Sequence, residues 1–203
     1  MRTLAALVAL LSGAPQDAPP NIVFILADDL GYGHLGSYGQ SKIKTPHLDR
    51  LAAEGLRFTQ MYSGSAVCAP SRCALLTGRH MGRAAIRSNK EMKPEGQEPL
   101  PADTRTVAQA LKAKGYATAC IGKWGLGPPG SHADPNRMGF DRFFGYNCQR
   151  QAHTFYPTHL WRNDAKVELD GKTYSHDLLE KESLEWVRAN KAKPFFLYLA
   201  YTI

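Results

Sequence analysis

Apolar positions along the chain follow two alternating patterns. In "NIVFILADDL", residues 21–30, the run is β-branched and continuously apolar, as expected of a strand buried on both faces of a mostly parallel sheet. "TPHLDRLAAEG", residues 45–55, switches to helical spacing, with Leu48, Leu51 and Ala52 on one face. Thr45 is the expected N-cap, Pro46 the first helical residue and Gly55 the left-handed stop. "LRFTQMY", residues 56–62, is predicted as a strand, and a helix is predicted from Cys68 to Thr77. A further helix, "TRTVAQALKAKG", is capped by Thr104 and closed by Gly115, and the strand "YATACIG" follows it. Between Arg150 and Thr173 the pattern changes: "THLWR" and "KVEL" flank Asn163-Asp164 and predict a small hairpin or excursion. A helix, "SHDLLEKESLEWVRAN", starts at Ser175, and "KPFFLYLAYTI" is again a strand apolar on both faces. Alternation of this kind requires crossover connections, so the expected class is α/β, a central mostly parallel sheet flanked by helices. The sequence contains no internal repeat.

The 203 residues are 43% hydrophobic and 21% charged, which suits a single globular domain and argues against disorder. The N-terminus narrows the compartment. Arg2, the short apolar run Leu4 to Leu11 and the small residues Ser12-Gly13-Ala14 have the layout of a secretory signal, cleaved after Ala14, with residues 15–20 as a linker. That run is too short to anchor in a bilayer, which takes roughly 20 apolar residues, so an exported periplasmic or secreted protein without a membrane span is expected. Four cysteines without paired CxxC spacing predict neither a zinc site nor a dense disulfide framework. The formal net charge of +7 favours an anionic partner. Its lysines and arginines are scattered rather than gathered with aromatics into a stripe, so no nucleic-acid partner is expected. The apolar run ending at Ile203 predicts a domain, residues 21–203, that is C-terminally truncated, with a bare apolar sheet edge prone to association.

Two stretches carry candidate chemistry. Cys68 at a helix start sits among first-turn N–H groups, where negative charge is favoured; Arg72, four residues on, shares its helical face and carries a permanent charge. A buried structural cysteine beside an incidental arginine is the alternative. Asp28 and Asp29 end the first strand. Successive strand side chains point to opposite faces, so both reach one ion only if the backbone turns there, a turn that Gly31 and Gly33 permit. Hard carboxylate oxygens at the carboxyl end of a parallel strand suit calcium or magnesium; an acidic turn that caps the next segment is the alternative.

Cys68-Ala69-Pro70-Ser71-Arg72 followed by Thr77-Gly78-Arg79 resembles the CxPSR and TGR signature of the type I, formylglycine-dependent sulfatases. "NIVFILADDLGYGHLGSYG" resembles that family's first metal-binding strand, and "GYATACIGKWGLG" its second signature, GYxTxxxGKWHLG. The resemblance runs from about Asn21 to the last residue and implies an alkaline-phosphatase-like sandwich. It implies that a maturating, formylglycine-generating enzyme oxidises Cys68 to formylglycine, whose hydrate attacks the sulfur of a sulfate ester. Asp28, Asp29 and the modified Cys68 would bind calcium, or magnesium; Arg72 and Lys123 would stabilise charge, with Lys123 on a sulfate oxygen. The chain departs from the signature at Gly125, where the family usually has histidine. Replacements expected for that imidazole in catalysis and substrate binding are His153, then His132 and His159.

The implied function is hydrolysis of carbohydrate or aryl sulfates, with a sulfated small molecule or polysaccharide as partner. Two rivals stand beside it. One is a phosphoester or phosphonate hydrolase of the same superfamily, because the two esters differ little in shape. The other is a truncated, non-catalytic remnant. Phe155, Tyr156 and Trp161, in "RQAHTFYPTHLWRND", could stack on a sugar ring or pack the domain.

Overall fold

The computed structural model describes residues 19–202. The predicted signal segment, 1–14, and most of the 15–20 linker lie outside the described residues. Six strands form one sheet: β1 (Ile22–Ala27), β2 (Ala117–Lys123), β3 (Arg142–Tyr146), β4 (His159–Arg162), β5 (Ala165–Glu168) and β6 (Phe195–Tyr201), in the order β1-β6-β2-β3-β4-β5. β1, β6, β2 and β3 are mutually parallel, whereas β4 and β5 form an antiparallel hairpin on the β3 edge. Its turn is the expected Asn163-Asp164, with Asn163 at φ 55°. The helices are α1 (Pro46–Glu54), α2 (Cys68–Thr77), α3 (Val107–Lys112) and α4 (Ser175–Asn190).

The two apolar faces of β6 explain the layering. Phe196, Tyr198 and Ala200 point to one side, where Cys120, Trp124 and Phe140 join Cys73 and Leu76 of α2 and Ala108 of α3. Phe195, Leu197 and Leu199 point to the other, with Ala119, Ile121 and Phe144 against Leu179 of α4. Period-two alternation thus feeds two cores from one strand, each fully buried large side chain contributing roughly 1.5–3 kcal/mol.

The register places four strand ends at one rim. Ala27 pairs with Tyr201, Gly122 with Ala200, and Lys123 with Tyr146, so Asp28, Lys123 and the residues after Tyr146 emerge together at the carboxyl end of the parallel sheet. Gly122, at φ 115°, permits this: a Cβ there would lie 2.1 Å from the Ala200 carbonyl oxygen.

Several expectations need correction. Residues 56–62 form no strand. Leu56, Phe58, Met61 and Tyr62 are exposed, and without a ladder partner an apolar run cannot hold extended pairing. The third helix starts two residues later than expected. Thr106, not Thr104, is its N-cap: Gln109 N–H donates to Thr106 Oγ1 at 3.2 Å and Gln109 Oε1 accepts from Thr106 N–H at 3.0 Å, a reciprocal box that Thr104 has no Gln or Glu to close. The α1 face of Leu48 and Leu51 is exposed rather than buried. Thr45 is the N-cap of α1 but spends its hydroxyl on Asp49 and the Gly36 N–H. β3 was not anticipated, because five residues containing a glycine give too short a pattern. β6 is an interior strand, not a bare edge; the open parallel edge is β1, where Val23 and Ile25 are half exposed. No described helix is long and apolar enough to cross a membrane.

Candidate functional site

A cavity of about 210 Å³ opens at the rim, lined by Asp28, Asp29, Cys68 and Arg72 with the hydroxyl-bearing Ser63 and Ser71. Three elements converge on Asp28. Its Oδ1 accepts from Arg72 Nη2 at 3.1 Å, its Oδ2 accepts from Lys123 Nζ at 2.5 Å, and Cys68 Sγ lies 3.9 Å from Oδ2. Arg72 Nη1 also donates to the Lys123 carbonyl at 2.5 Å and to Tyr198 Oη at 3.3 Å. Four of the expected site residues are therefore brought together from β1, α2 and β2, and Asp29 joins them at the cavity wall.

Two cations face one carboxylate, almost without solvent: Arg72 is 1% and Lys123 0% exposed. Burial works to raise the Asp28 pKa, but Arg72 and Lys123 outweigh it and hold the carboxyl below its usual range. Burial likewise opposes the Arg72 charge, which the Asp28 carboxylate helps to restore. Tyr198 is pushed up to about 12 by burial and stays a neutral phenol. Asp28 meets one of the two positive charges and Asp29, at the cavity wall, stands against the other, while Arg72 Nε is buried without a partner among the described residues.

The helix start itself contributes less than expected. Val67, not Cys68, is the N-cap of α2, and Cys68 is its first residue. Ala69 N–H donates to Asn89 Oδ1 at 2.8 Å, Val67 N–H to Ser65 Oγ at 3.4 Å, and Pro70 has no N–H. The first-turn donors are largely spent within the protein, so positive charge at Cys68 comes from Arg72 and Lys123.

Asp28 and Asp29 both reach the cavity because the backbone turns, as required, but Asp29 itself makes the turn at φ 59°. Gly31, at φ −84°, does not. Aspartate tolerates the left-handed region better than most residues, and such strain collects at functional sites. The two carboxylates have the right chemistry for a hard cation. Their number falls short of the roughly six to eight oxygens that calcium takes, and no cluster of three or more His, Cys, Asp or Glu side chains occurs among the described residues. The described residues fit part of a divalent-cation site rather than a complete one.

None of the three histidines lines the cavity beside Cys68. His153 is exposed on a single 3-10 turn, Gln151–His153, outside the cavity lining. His132 Nε2 bonds the Leu100 carbonyl at 2.8 Å, and His159 Nε2 meets Glu95 at 2.9 Å. The space beside position 125 is filled instead by Gln149. Gly125 sits at φ 70°, and a Cβ there would lie 1.8 Å from Gln149 Nε2. Gln149 is buried, donates to the Gly125 carbonyl at 3.3 Å and leaves its Oε1 without a partner among the described residues. Tyr198, Asn89 and Gln149 escaped sequence reasoning. Only Tyr198 gave a signal, being a hydroxyl inside an otherwise apolar strand that needs a partner.

This geometry belongs to a known group. The family model described as Sulfatase matches residues 20–202. The chain is a member of the sulfatase family. Human arylsulfatase A is 49% identical over 141 residues, covering 68% of this chain and 27% of that protein. Rat N-acetylgalactosamine-6-sulfatase is 36% identical over 230 residues, covering 97% and 41%. The crystal structure of Ps i-CgsB matches with a TM-score of 0.79 at 33% identity, covering 90% of this chain and 45% of that one, as does its complex with k-i-k-neocarrahexaose. The chain thus spans less than half the length of these sulfatase relatives. Its sheet, mostly parallel and flanked by helices, is the alkaline-phosphatase-like fold of that family.

Proposed function

We propose that the protein is an exported sulfuric ester hydrolase in which Cys68 is the precursor of the nucleophile and the substrate is a sulfated saccharide. The observation that carries this reading is the convergence of Cys68, Arg72 and Lys123 on Asp28 at the wall of one polar cavity, with Lys123 buried behind it, in a sulfatase-family chain. A formylglycine at position 68, made by a maturating enzyme, would supply a hydrated aldehyde as nucleophile toward sulfur. Asp28 and Asp29 would contribute carboxylate oxygens to a calcium or magnesium ion.

The remaining chemistry falls to the chain itself. Arg72 and Lys123 supply fixed positive charge where the ester oxygens gain negative charge, and their burial keeps that charge unscreened. Asp28 aligns both cations, so they need not reorganise during the reaction. Ser71 offers its hydroxyl to a remaining sulfate oxygen, whereas Ser63 donates its own proton to the Ser65 carbonyl. A saccharide is favoured because Ps i-CgsB was crystallised with k-i-k-neocarrahexaose and BT4656 with D-Glucosamine-2-N, 6-O-disulfate, the latter 29% identical at a TM-score of 0.72.

The test is hydrolysis of an aryl sulfate and the matching aryl phosphate by protein exported alongside a maturating enzyme. Sulfate turnover should exceed phosphate turnover, and Cys68→Ala should remove it while leaving the unfolding midpoint nearly unchanged. Activity in Cys68→Ala above about one per cent of the parent would assign the nucleophile elsewhere.

A further inference from the structure

A second polar cavity, of about 340 Å³, opens at the same rim between Glu95 and the segment 150–159. Strand register fixes its place. β4 runs antiparallel to β3, with Gly145 opposite Trp161, so His159 at the start of β4 lies just beyond Tyr146, as Asp28 lies just beyond Ala27 on β1. The sheet order separates β1 from β4 by four strand spacings, about 19 Å.

Its walls are built differently from those around Cys68. Glu95 is fixed at both oxygens, Oε2 by His159 Nε2 at 2.9 Å and Oε1 by Trp161 Nε1 at 2.8 Å, and keeps unused lone pairs. Arg150 gives two of its donors to Glu91, each at 2.9 Å, so its charge is largely neutralised. Gln151 is held through Nε2 by the His159 carbonyl at 2.9 Å, while its Oε1 is buried without a partner among the described residues. Tyr156 lines the cavity as a 54% exposed residue, its ring centroid 5.6 Å from that of Tyr174. The absence of excess positive charge, the fixed acceptors, the spare guanidinium donors and a partly exposed aromatic residue suit the hydroxyls and apolar face of a sugar rather than a sulfate group.

We propose that this cavity is a distal saccharide subsite, which holds a sugar residue of the same chain whose sulfate sits at Cys68. The inference rests on the saccharide reading above. One sugar cannot span the two cavities and a chain of several can, so the subsite makes recognition depend on chain length.

Calorimetric titration of the protein with sulfated galactan oligosaccharides, from disaccharide to octasaccharide, tests it. The longer chains should bind at least about tenfold more tightly than the disaccharide. Tyr156→Ala and Arg150→Ala should each lower octasaccharide affinity up to about tenfold, leaving disaccharide affinity and the unfolding midpoint unchanged. Affinity independent of length, or a length gain that survives both substitutions, would overturn the subsite while leaving the saccharide reading intact. Failure to bind any saccharide, with aryl sulfate still hydrolysed, would overturn the saccharide reading and the subsite with it, but not the sulfatase.

Discussion

Asp28 closes a circuit that the sequence announced in separate pieces. Its place at the end of an apolar strand, the arginine one turn into α2 and the lysine after β2 were all legible as motifs. That both cations bind this carboxylate was not, because contacts across 44 and 95 residues of chain leave no local signature. Asp29 carries a testable consequence. If it is a cation ligand, Asp29→Ala should weaken calcium binding in a calorimetric titration more than Asp103→Ala or Asp141→Ala, since Asp141 is committed to Lys112 and Thr118. Equal effects at the three positions would remove Asp29 from the site. Gly125 yields the second residue-scale prediction. Gly125→Ala combines a left-handed backbone with overlap against Gln149 and should destabilise by about 1–3 kcal/mol in denaturant unfolding. Gln149→Ala in the same chain should return the overlap part, whereas simple additivity of the two changes would show that Gln149 does not fill this space.

Helix and strand identity was readable wherever a periodic pattern was long. The apolar runs of β1, β2 and β6, the helix from Ser175 and the Asn163-Asp164 hairpin all lie where the pattern put them. Short or exposed pieces failed: β3 is five residues, and residues 56–62 have an apolar look but no strand to pair with. The junction of α4 with β6 makes a pH prediction at this scale. His176 is buried at the start of α4, with Nε2 3.0 Å from Thr202 Oγ1 and its ring against Tyr174 and Tyr201. Burial lowers its pKa below the ordinary 6.5, only partly opposed by Asp177. The unfolded chain therefore takes up this proton first as pH falls through 6.5, and the folded state loses stability on the acid side. Urea unfolding from pH 7 toward pH 5 should show that loss, and His176→Gln should flatten it; an unchanged slope would place the acid sensitivity elsewhere.

At the scale of the whole molecule, the parallel register does the work that no single motif could. It brings the ends of β1, β6, β2 and β3 to one rim, so the cavity beside Cys68 and the cavity beside Glu95 share one edge of one sheet. The sequence pointed to the first through cysteine, arginine and paired aspartates. The second was hidden, since Glu95, Arg150 and Tyr156 come together only when β4 turns back along β3. The proposed chemistry depends most on what Cys68 becomes. Tryptic digestion of exported protein should release the segment from Phe58 to Arg72, and mass spectrometry with a hydrazide probe reads position 68 directly. An aldehyde at that position in protein made alongside a maturating enzyme is the predicted result; an unmodified thiol throughout would contradict the assignment of Cys68 as the nucleophile precursor.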